Sequence, residues 1–284
     1  MVNTTINNIG KKLPPVKTGQ RFGEKVQNNK KVGLFSERRF LIFTKKGPIE
    51  IAFKPIHYCS AIVTTIVGLT SILYWSAKSK SYRDVIVKDA KTAYGNFSNY
   101  GVAECDANGR ARVYLKFPQI YSTVQKGHKK SQSFHPHIHF VISDVNEKKW
   151  LKQIYTKILI KNIDFSDLMR NNRTNNYVLL NTLPAQYYAR DHIPNSYNLH
   201  NNEIKKMSVD DLHSWFRKII ELHYPSLLKL VKEGKLEIYE IPIICYCAHK
   251  DCNASELAMR ELVKKGFINV ILYEGGMAEY NAMK

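Results

Sequence analysis

Ile241-Pro242-Ile243-Ile244-Cys245-Tyr246-Cys247-Ala248-His249-Lys250-Asp251-Cys252-Asn253-Ala254-Ser255 is the stretch whose reading decides the fold. Its first six residues are an apolar run interrupted only by proline, which reads as a short buried strand. Glu256 to Gly266 then places apolar residues at helical spacing and stops on glycine. The stretch therefore predicts a strand, a tight loop and a helix. A thiol at the exit of that strand and the mouth of that helix sits where backbone N–H groups and the positive helix end converge, which favours thiolate over thiol. Cys247 is a nucleophile by position. Cys245 points opposite to its neighbours on a buried strand and reads as core. The Cys-x-Cys-x4-Cys spacing lacks the second, separated Cys/His pair that a zinc site wants.

Working outward, the strand, the Tyr-Cys pair, the loop and Ser255 at the helix start are followed by Val270-Ile271-Leu272-Tyr273-Glu274-Gly275-Gly276-Met277-Ala278-Glu279-Tyr280. Upstream lies Tyr177-Val178-Leu179-Leu180-Asn181-Thr182-Leu183-Pro184-Ala185-Gln186-Tyr187-Tyr188-Ala189-Arg190-Asp191-His192-Ile193-Pro194-Asn195-Ser196-Tyr197-Asn198-Leu199. The two motifs, in this order over residues 163–284, resemble those of rhodanese (sulfurtransferase) domains. The resemblance implies an α/β fold with a parallel sheet and flanking helices. It also implies a persulfide relay from a small sulfur donor such as thiosulfate to a thiol or cyanide acceptor, with no cofactor required. Cys247, directly after the strand, matches the family's persulfide cysteine, and Cys252 is either a resolving thiol or the carrier itself. His249, Lys250, Asn253 and Ser255 are the candidate substrate-binding residues. The chain departs from the family at Asn181 and Leu183, where Asp and Arg are usual, and its loop is about two residues longer. His192, before Ile193-Pro194, reads as a structural histidine.

The whole chain has 284 residues, with 43 Lys and Arg against 24 Asp and Glu, for a formal charge of +19. Its length suits two domains. Its charge calls for polyanionic neighbours, nucleic acid or an anionic membrane face, but no nucleic-acid motif accompanies it, so contact through charge alone is non-specific. Five cysteines, three of them within eight residues, are not a disulfide framework, and the amino terminus lacks the apolar core of a secretory signal. An intracellular reducing compartment is the expectation. Abundant Asn, Lys and Ile suit AT-rich coding, as in an AT-rich microbe or a large DNA virus.

Residues 1–57 carry twelve Lys and Arg against three acids and read as a basic arm, with two strands around Lys45-Lys46-Gly47-Pro48 near its end. Residues 58–77 are uncharged. A helix of that length spans roughly 30 Å, enough for a bilayer, with Tyr58 and Tyr74-Trp75 as an aromatic belt. Three Thr, three Ser and many β-branched residues equally suit a buried strand. Both readings stand, and five Lys or Arg on each side leave orientation unset.

Residues 78–146 alternate as strands do. Tyr100 to Cys105 and Ala111 to Phe117 flank Asp106-Ala107-Asn108-Gly109-Arg110, a hairpin signal. A strand over 134–143 would place His135, His137 and His139 on one face, where histidines can converge on a metal. The run from Asp106 through Pro118 and Tyr121 to Pro136-His137-Ile138-His139-Phe140 resembles the β-sandwich core of intradiol ring-cleaving dioxygenases. That resemblance implies iron held by Tyr121, His137 and His139, with no second tyrosine between Tyr121 and His137.

Residues 147–162, apolar at helical spacing with lysines between, read as a linker helix. Ser208 reads as the cap of a further helix, and Lys229 to Glu240 as a solvated insertion. The chain thus reads as a multidomain protein: arm, apolar stretch, β-sandwich, linker, and rhodanese-like domain over 163–284. The function it implies is sulfur transfer. The alternatives are a non-catalytic interaction protein with a degenerate rhodanese domain, membrane-associated or in a virus particle with assembly partners, and a metal-binding intradiol-like domain.

Overall fold

The computed structural model describes residues 71–79, 86–104, 110–113, 115–124, 130–143, 150, 154–172 and 176–284, together with strand segments 4–6, 16–18, 40–41 and 49–52. The chain divides into two compact units, one of residues 1–80 and 87–159, the other of 81–86 and 160–284.

The first unit is antiparallel. In chain order it contains β1 (Thr4–Ile6), β2 (Val16–Thr18), β3 (Phe40–Leu41), β4 (Ile49–Ala52), β5 (Ser71–Ser76), α1 (Ala90–Tyr94), β6 (Tyr100–Glu104), β7 (Arg110–Val113), β8 (Tyr121–Val124), β9 (Ser131–Phe134), β10 (His137–Ile142) and β11 (Tyr155–Ile158). Its four-stranded sheet runs β11-β10-β5-β6, its three-stranded sheet β3-β4-β7, and β1 with β2 and β8 with β9 form two-stranded ribbons. The two strands expected near the end of the arm are β3 and β4, paired antiparallel with Phe40 opposite Ile51.

Strand β5 overturns the transmembrane helix expected over 58–77. Residues 58–70 lie outside the described ones, but Ser71–Ser76 is extended, buried at every position and paired on both sides. Ile72 and Tyr74 pack with Val113, Ile138, Phe140 and Leu159, while Leu73 and Trp75 pack with Ala93, Tyr94, Tyr121, Phe134 and Val141. A strand buried on both faces has no polar face to alternate with, so it reads as a continuous apolar run. Among the described residues no helix is long and apolar enough to cross a membrane.

Three further expectations change. The strands flanking the Asn-Gly turn exist, but β6 pairs with β5 and β7 with β4, and residues 105–109 lie outside the described ones. The expected strand over 134–143 is split at His135-Pro136 into β9 and β10. Within the expected linker helix, Tyr155–Ile158 is strand β11, paired with His137 to Phe140; Lys157 opposite Ile138 and Thr156 opposite His139 give it sheet partners that outweigh a helical apolar pattern. The β-sandwich is not confirmed. One face of the central sheet packs on α1 and the β8–β9 ribbon.

The second unit is a parallel α/β layer. It runs β12 (Lys161–Asn162), α2 (Phe165–Asn172), β13 (Val178–Asn181), α3 (Ala185–Arg190), β14 (Ser196–Asn198), α4 (Asn201–Lys206), α5 (Val209–His223), α6 (Pro225–Lys232), β15 (Ile243–Tyr246), α7 (Ala254–Lys264), β16 (Val270–Tyr273) and α8 (Gly276–Met283). The sheet order is β12-β16-β15-β13-β14, with every pairing parallel. Strands β13, β15 and β16 are buried along their whole length, as the central strands of a covered parallel sheet are. Each such Leu, Ile or Val contributes about 1.5–3 kcal/mol by leaving water. Ser208 caps α5 as expected, its hydroxyl accepting the Asp211 N–H at 3.0 Å. Lys229 to Glu240 is less solvated than expected, because Leu236, Ile238 and Glu240 are buried.

Candidate functional site

Strand β15 ends at Tyr246, so Cys247 leaves the carboxyl edge of the parallel sheet and α7 begins seven residues later. Between them the chain folds back on itself, the Cys252 N–H donating to the His249 carbonyl at 2.9 Å. The loop is held from outside by the Gly-Gly turn. Met277 N–H donates to the Cys247 carbonyl at 3.0 Å and Ala278 N–H to that of Ala248 at 2.8 Å. Gly276 has φ +60°, and a Cβ there would press on the Cys247 carbonyl oxygen and come within 2.9 Å of Ala248 C and His249 N. Only glycine combines that backbone with that approach.

The fold brings Cys247, Cys252 and Ser255 together and separates them by environment. Cys247 is fully buried. Its Sγ donates to the Cys252 carbonyl at 3.2 Å and lies 3.3 Å from Ser255 Oγ. Burial, the largest influence, pushes its thiol above the ordinary cysteine value. Cys252 is partly exposed. Burial works to raise it too, but the S–H of Cys247 and the main-chain N–H groups of Ala254, Ala248 and His249 outweigh that and hold it below the ordinary value. Asn253, at the helix cap, makes no side-chain cap bond. The two thiols thus differ in environment: Cys247, next to the strand, is buried, and Cys252 is partly exposed.

His249, Lys250 and Asn253 are exposed around this loop, while Ser255 is buried against Cys247. Cys245 is core, as expected, its thiol pushed up by burial. His192 is exposed, stacks on Tyr188 at 4.1 Å and lies with Nδ1 3.0 Å from the Tyr188 carbonyl, a structural role. Asn181 and Leu183, the departures from the family pattern, form a local turn in which Asn181 Oδ1 accepts the Leu183 N–H at 2.9 Å.

A second cluster lies within the antiparallel unit. His137 and His139, both buried on β10, place their Nε2 atoms 3.1 Å apart. The Tyr94 hydroxyl is 2.9 Å from the first and 3.1 Å from the second. His137 donates Nδ1–H to the His135 carbonyl at 2.6 Å, so its Nε2 is an acceptor while the ring is neutral. Burial lowers its pKa to about 4. His139 Nδ1 is 2.8 Å from Thr156 Oγ1. Tyr121, 1% exposed, lies beside Tyr94 with its hydroxyl in no hydrogen bond of regular geometry. Burial pushes Tyr121 up to about 12 and Tyr94 well above the ordinary tyrosine value.

The sequence reading placed Tyr121, His137 and His139 here and missed Tyr94. The second tyrosine comes from upstream, at the end of α1, and a helix-terminal Tyr-Gly is the only signal it left. Among the described residues no three His, Cys, Asp or Glu converge on a metal position. The phenols complete the set instead: two imidazole nitrogens and two phenol oxygens fit a transition-metal ion by donor type, iron among those imidazole suits.

Residues 164–283 match the model of the Rhodanese-like domain. Among solved structures, the chain is similar to an uncharacterized protein of Saccharomyces cerevisiae at 22% identity, over 43% of this chain and 92% of that one, with a TM-score of 0.28. It is similar to the human single-domain sulfurtransferase at 15% identity, over 43% and 96%, with a TM-score of 0.29. A single-domain sulfurtransferase of Saccharomyces cerevisiae follows at 16% identity, over 45% and 94%, with a TM-score of 0.31. No curated protein matches the chain. The intradiol resemblance of the middle segment gains no support from these comparisons. With both ordered motifs, the parallel sheet and the loop at its carboxyl edge in place, residues 164–283 are a rhodanese-like domain.

Proposed function

We propose that the rhodanese-like domain is a sulfurtransferase in which Cys252 carries the sulfane sulfur as a persulfide. The observation behind this reading is the partial exposure of Cys252 just ahead of α7, against the full burial of Cys247. With thiosulfate as donor, the Cys252 thiolate attacks the outer sulfur, a new S–S bond forms, and sulfite leaves with the electron pair of the broken bond. The mouth of α7 favours the anionic persulfide. Exposed His249 and Lys250 border the entry and favour an anionic donor. An acceptor thiol or cyanide then attacks the outer sulfur and releases the Cys252 thiolate.

The test is thiocyanate production from thiosulfate and cyanide by the full chain. Cys252→Ser loses turnover and Cys247→Ser retains part of it; the reverse pattern returns the carrier role to Cys247. A folded wild-type protein without turnover favours the non-catalytic interaction reading.

A second reading concerns the antiparallel unit, where Tyr94, Tyr121, His137 and His139 converge. Held by these four side chains, an iron ion would supply Lewis acidity in a buried pocket. The full chain expressed with iron then carries the metal stoichiometrically, with a visible absorption band from tyrosinate ligation that Tyr94→Phe and Tyr121→Phe each alter. Metal-free protein under those conditions leaves the cluster a neutral hydrogen-bond network.

A further inference from the structure

Three donor atoms of the buried tyrosine–histidine cluster form a nearly regular triangle. His137 Nε2 and His139 Nε2, on β10, are 3.1 Å apart, and the Tyr94 hydroxyl oxygen, on α1, is 2.9 Å from the first and 3.1 Å from the second. Nitrogen and oxygen donors about 2.0–2.1 Å from one ion stand about 2.9–3.4 Å from each other when its bond angles lie between octahedral and tetrahedral. The triangle thus already has the edges of a metal-ligand face.

Such a face holds an ion only if both Nε2 lone pairs meet it, which requires both neutral imidazoles to carry their proton on Nδ1. The main chain fixes His137 in that form: its Nδ1–H donates to the His135 carbonyl at 2.6 Å, and a carbonyl only accepts. His139 is held differently. Its Nδ1 lies 2.8 Å from Thr156 Oγ1, and a hydroxyl can accept or donate. Thr156 stands directly opposite His139 in the antiparallel pair of β10 and β11, so strand register sets the contact.

We infer that Thr156 is a positioning residue for a transition-metal ion: by accepting the Nδ1–H of His139 it turns the Nε2 lone pair toward the face shared with Tyr94 and His137. This rests on the reading of the cluster as a metal centre. Without an ion, the Thr156 hydroxyl rotates and donates to Nδ1, and His139 donates its Nε2–H to His137 Nε2 across the 3.1 Å between them. Both buried imidazoles then keep matched partners in either state. The two arrangements differ by a tautomer exchange at His139, in which the imidazole neither gains nor loses a proton. A partner of this kind, which orients a ligating imidazole through its outer nitrogen, governs metal affinity without touching the metal.

The test compares the full chain with Thr156→Val and Thr156→Ser, each expressed with iron, for iron per chain, the visible absorption band and the iron retained against a graded chelator. Wild type and Thr156→Ser hold iron alike and show the same band, because serine keeps the hydroxyl. Thr156→Val, with its circular dichroism unchanged, gives up iron at a chelator concentration lower by roughly 10–100-fold. Retention in Thr156→Val equal to that of the wild type overturns the inference and leaves the metal reading intact. Equal loss in Thr156→Ser and Thr156→Val also overturns it, since the hydroxyl then does not set the affinity. If Thr156→Val fails to fold, the wild type loaded with zinc decides: nitrogen NMR of its histidines shows His139 protonated at Nδ1, and protonation at Nε2 overturns the inference. A wild-type chain that takes up neither iron nor zinc overturns the metal reading, and this role of Thr156 with it.

Discussion

The two chemical clusters of this chain are built in opposite ways. The cysteine loop draws both thiols and Ser255 from nine consecutive residues, Cys247 to Ser255, between the end of β15 and the first turn of α7. The tyrosine–histidine cluster gathers side chains from α1, β8 and β10, with β11 supplying Thr156, and its groups are pushed toward their neutral forms by burial. A contiguous loop at the carboxyl edge of a parallel sheet can stabilise an anion whatever its side chains are, because the amides come with the backbone. A buried side-chain cluster holds charge only when a cation or proton joins it.

That contrast can be broken at either end. Gly276→Ala strikes the loop hardest after loss of the carrier itself. The positive φ alone costs about 1–2 kcal/mol, and the pressure on the Cys247 carbonyl shifts the donors around Cys252. Thermal unfolding is expected to fall by several degrees and thiocyanate turnover to drop with it. Tyr94→Phe strikes the other cluster. It leaves two imidazole nitrogens 3.1 Å apart without the hydroxyl that both meet, and the expected loss is about 1–3 kcal/mol in denaturant unfolding.

The pH dependence sharpens the comparison. Because the Cys252 pKa lies below the ordinary thiol value, its thiolate is present above that depressed pKa and is lost as pH falls through it. Iodoacetamide alkylation of Cys252 is therefore expected to persist to lower pH than alkylation of a free cysteine. Cys247→Ala removes the S–H donor and moves the alkylation midpoint upward; an unmoved midpoint means the amides alone set it. The smallest effect is expected on the surface of α7, where Glu256→Gln breaks the pair with Arg260 and costs no more than about 0.5 kcal/mol.

The same contrast explains what the sequence could tell. Ile241 to Gly266 shows strand, loop and helix because each signal is local: an apolar run, a thiol-rich turn, a glycine stop. Even so, the environment of each thiol was not legible, since Cys247 and Cys252 differ in burial, and burial is not written in spacing. In the antiparallel unit, Tyr121, His137 and His139 could be picked out because alternation puts the histidines on one face and a motif flags the tyrosine. Tyr94 could not, because it reaches the cluster through α1 packing on β8. Ser71–Ser76 was ambiguous for a physical reason: a strand buried on both faces and a membrane helix select the same apolar residues.

The most direct test of the account is a comparison of Cys252→Ser with Cys247→Ser in the full chain, measured as thiocyanate formed from thiosulfate and cyanide under reducing conditions. The account predicts no turnover in Cys252→Ser and partial turnover in Cys247→Ser. Turnover that survives in Cys252→Ser and vanishes in Cys247→Ser contradicts it and moves the carrier to the buried thiol.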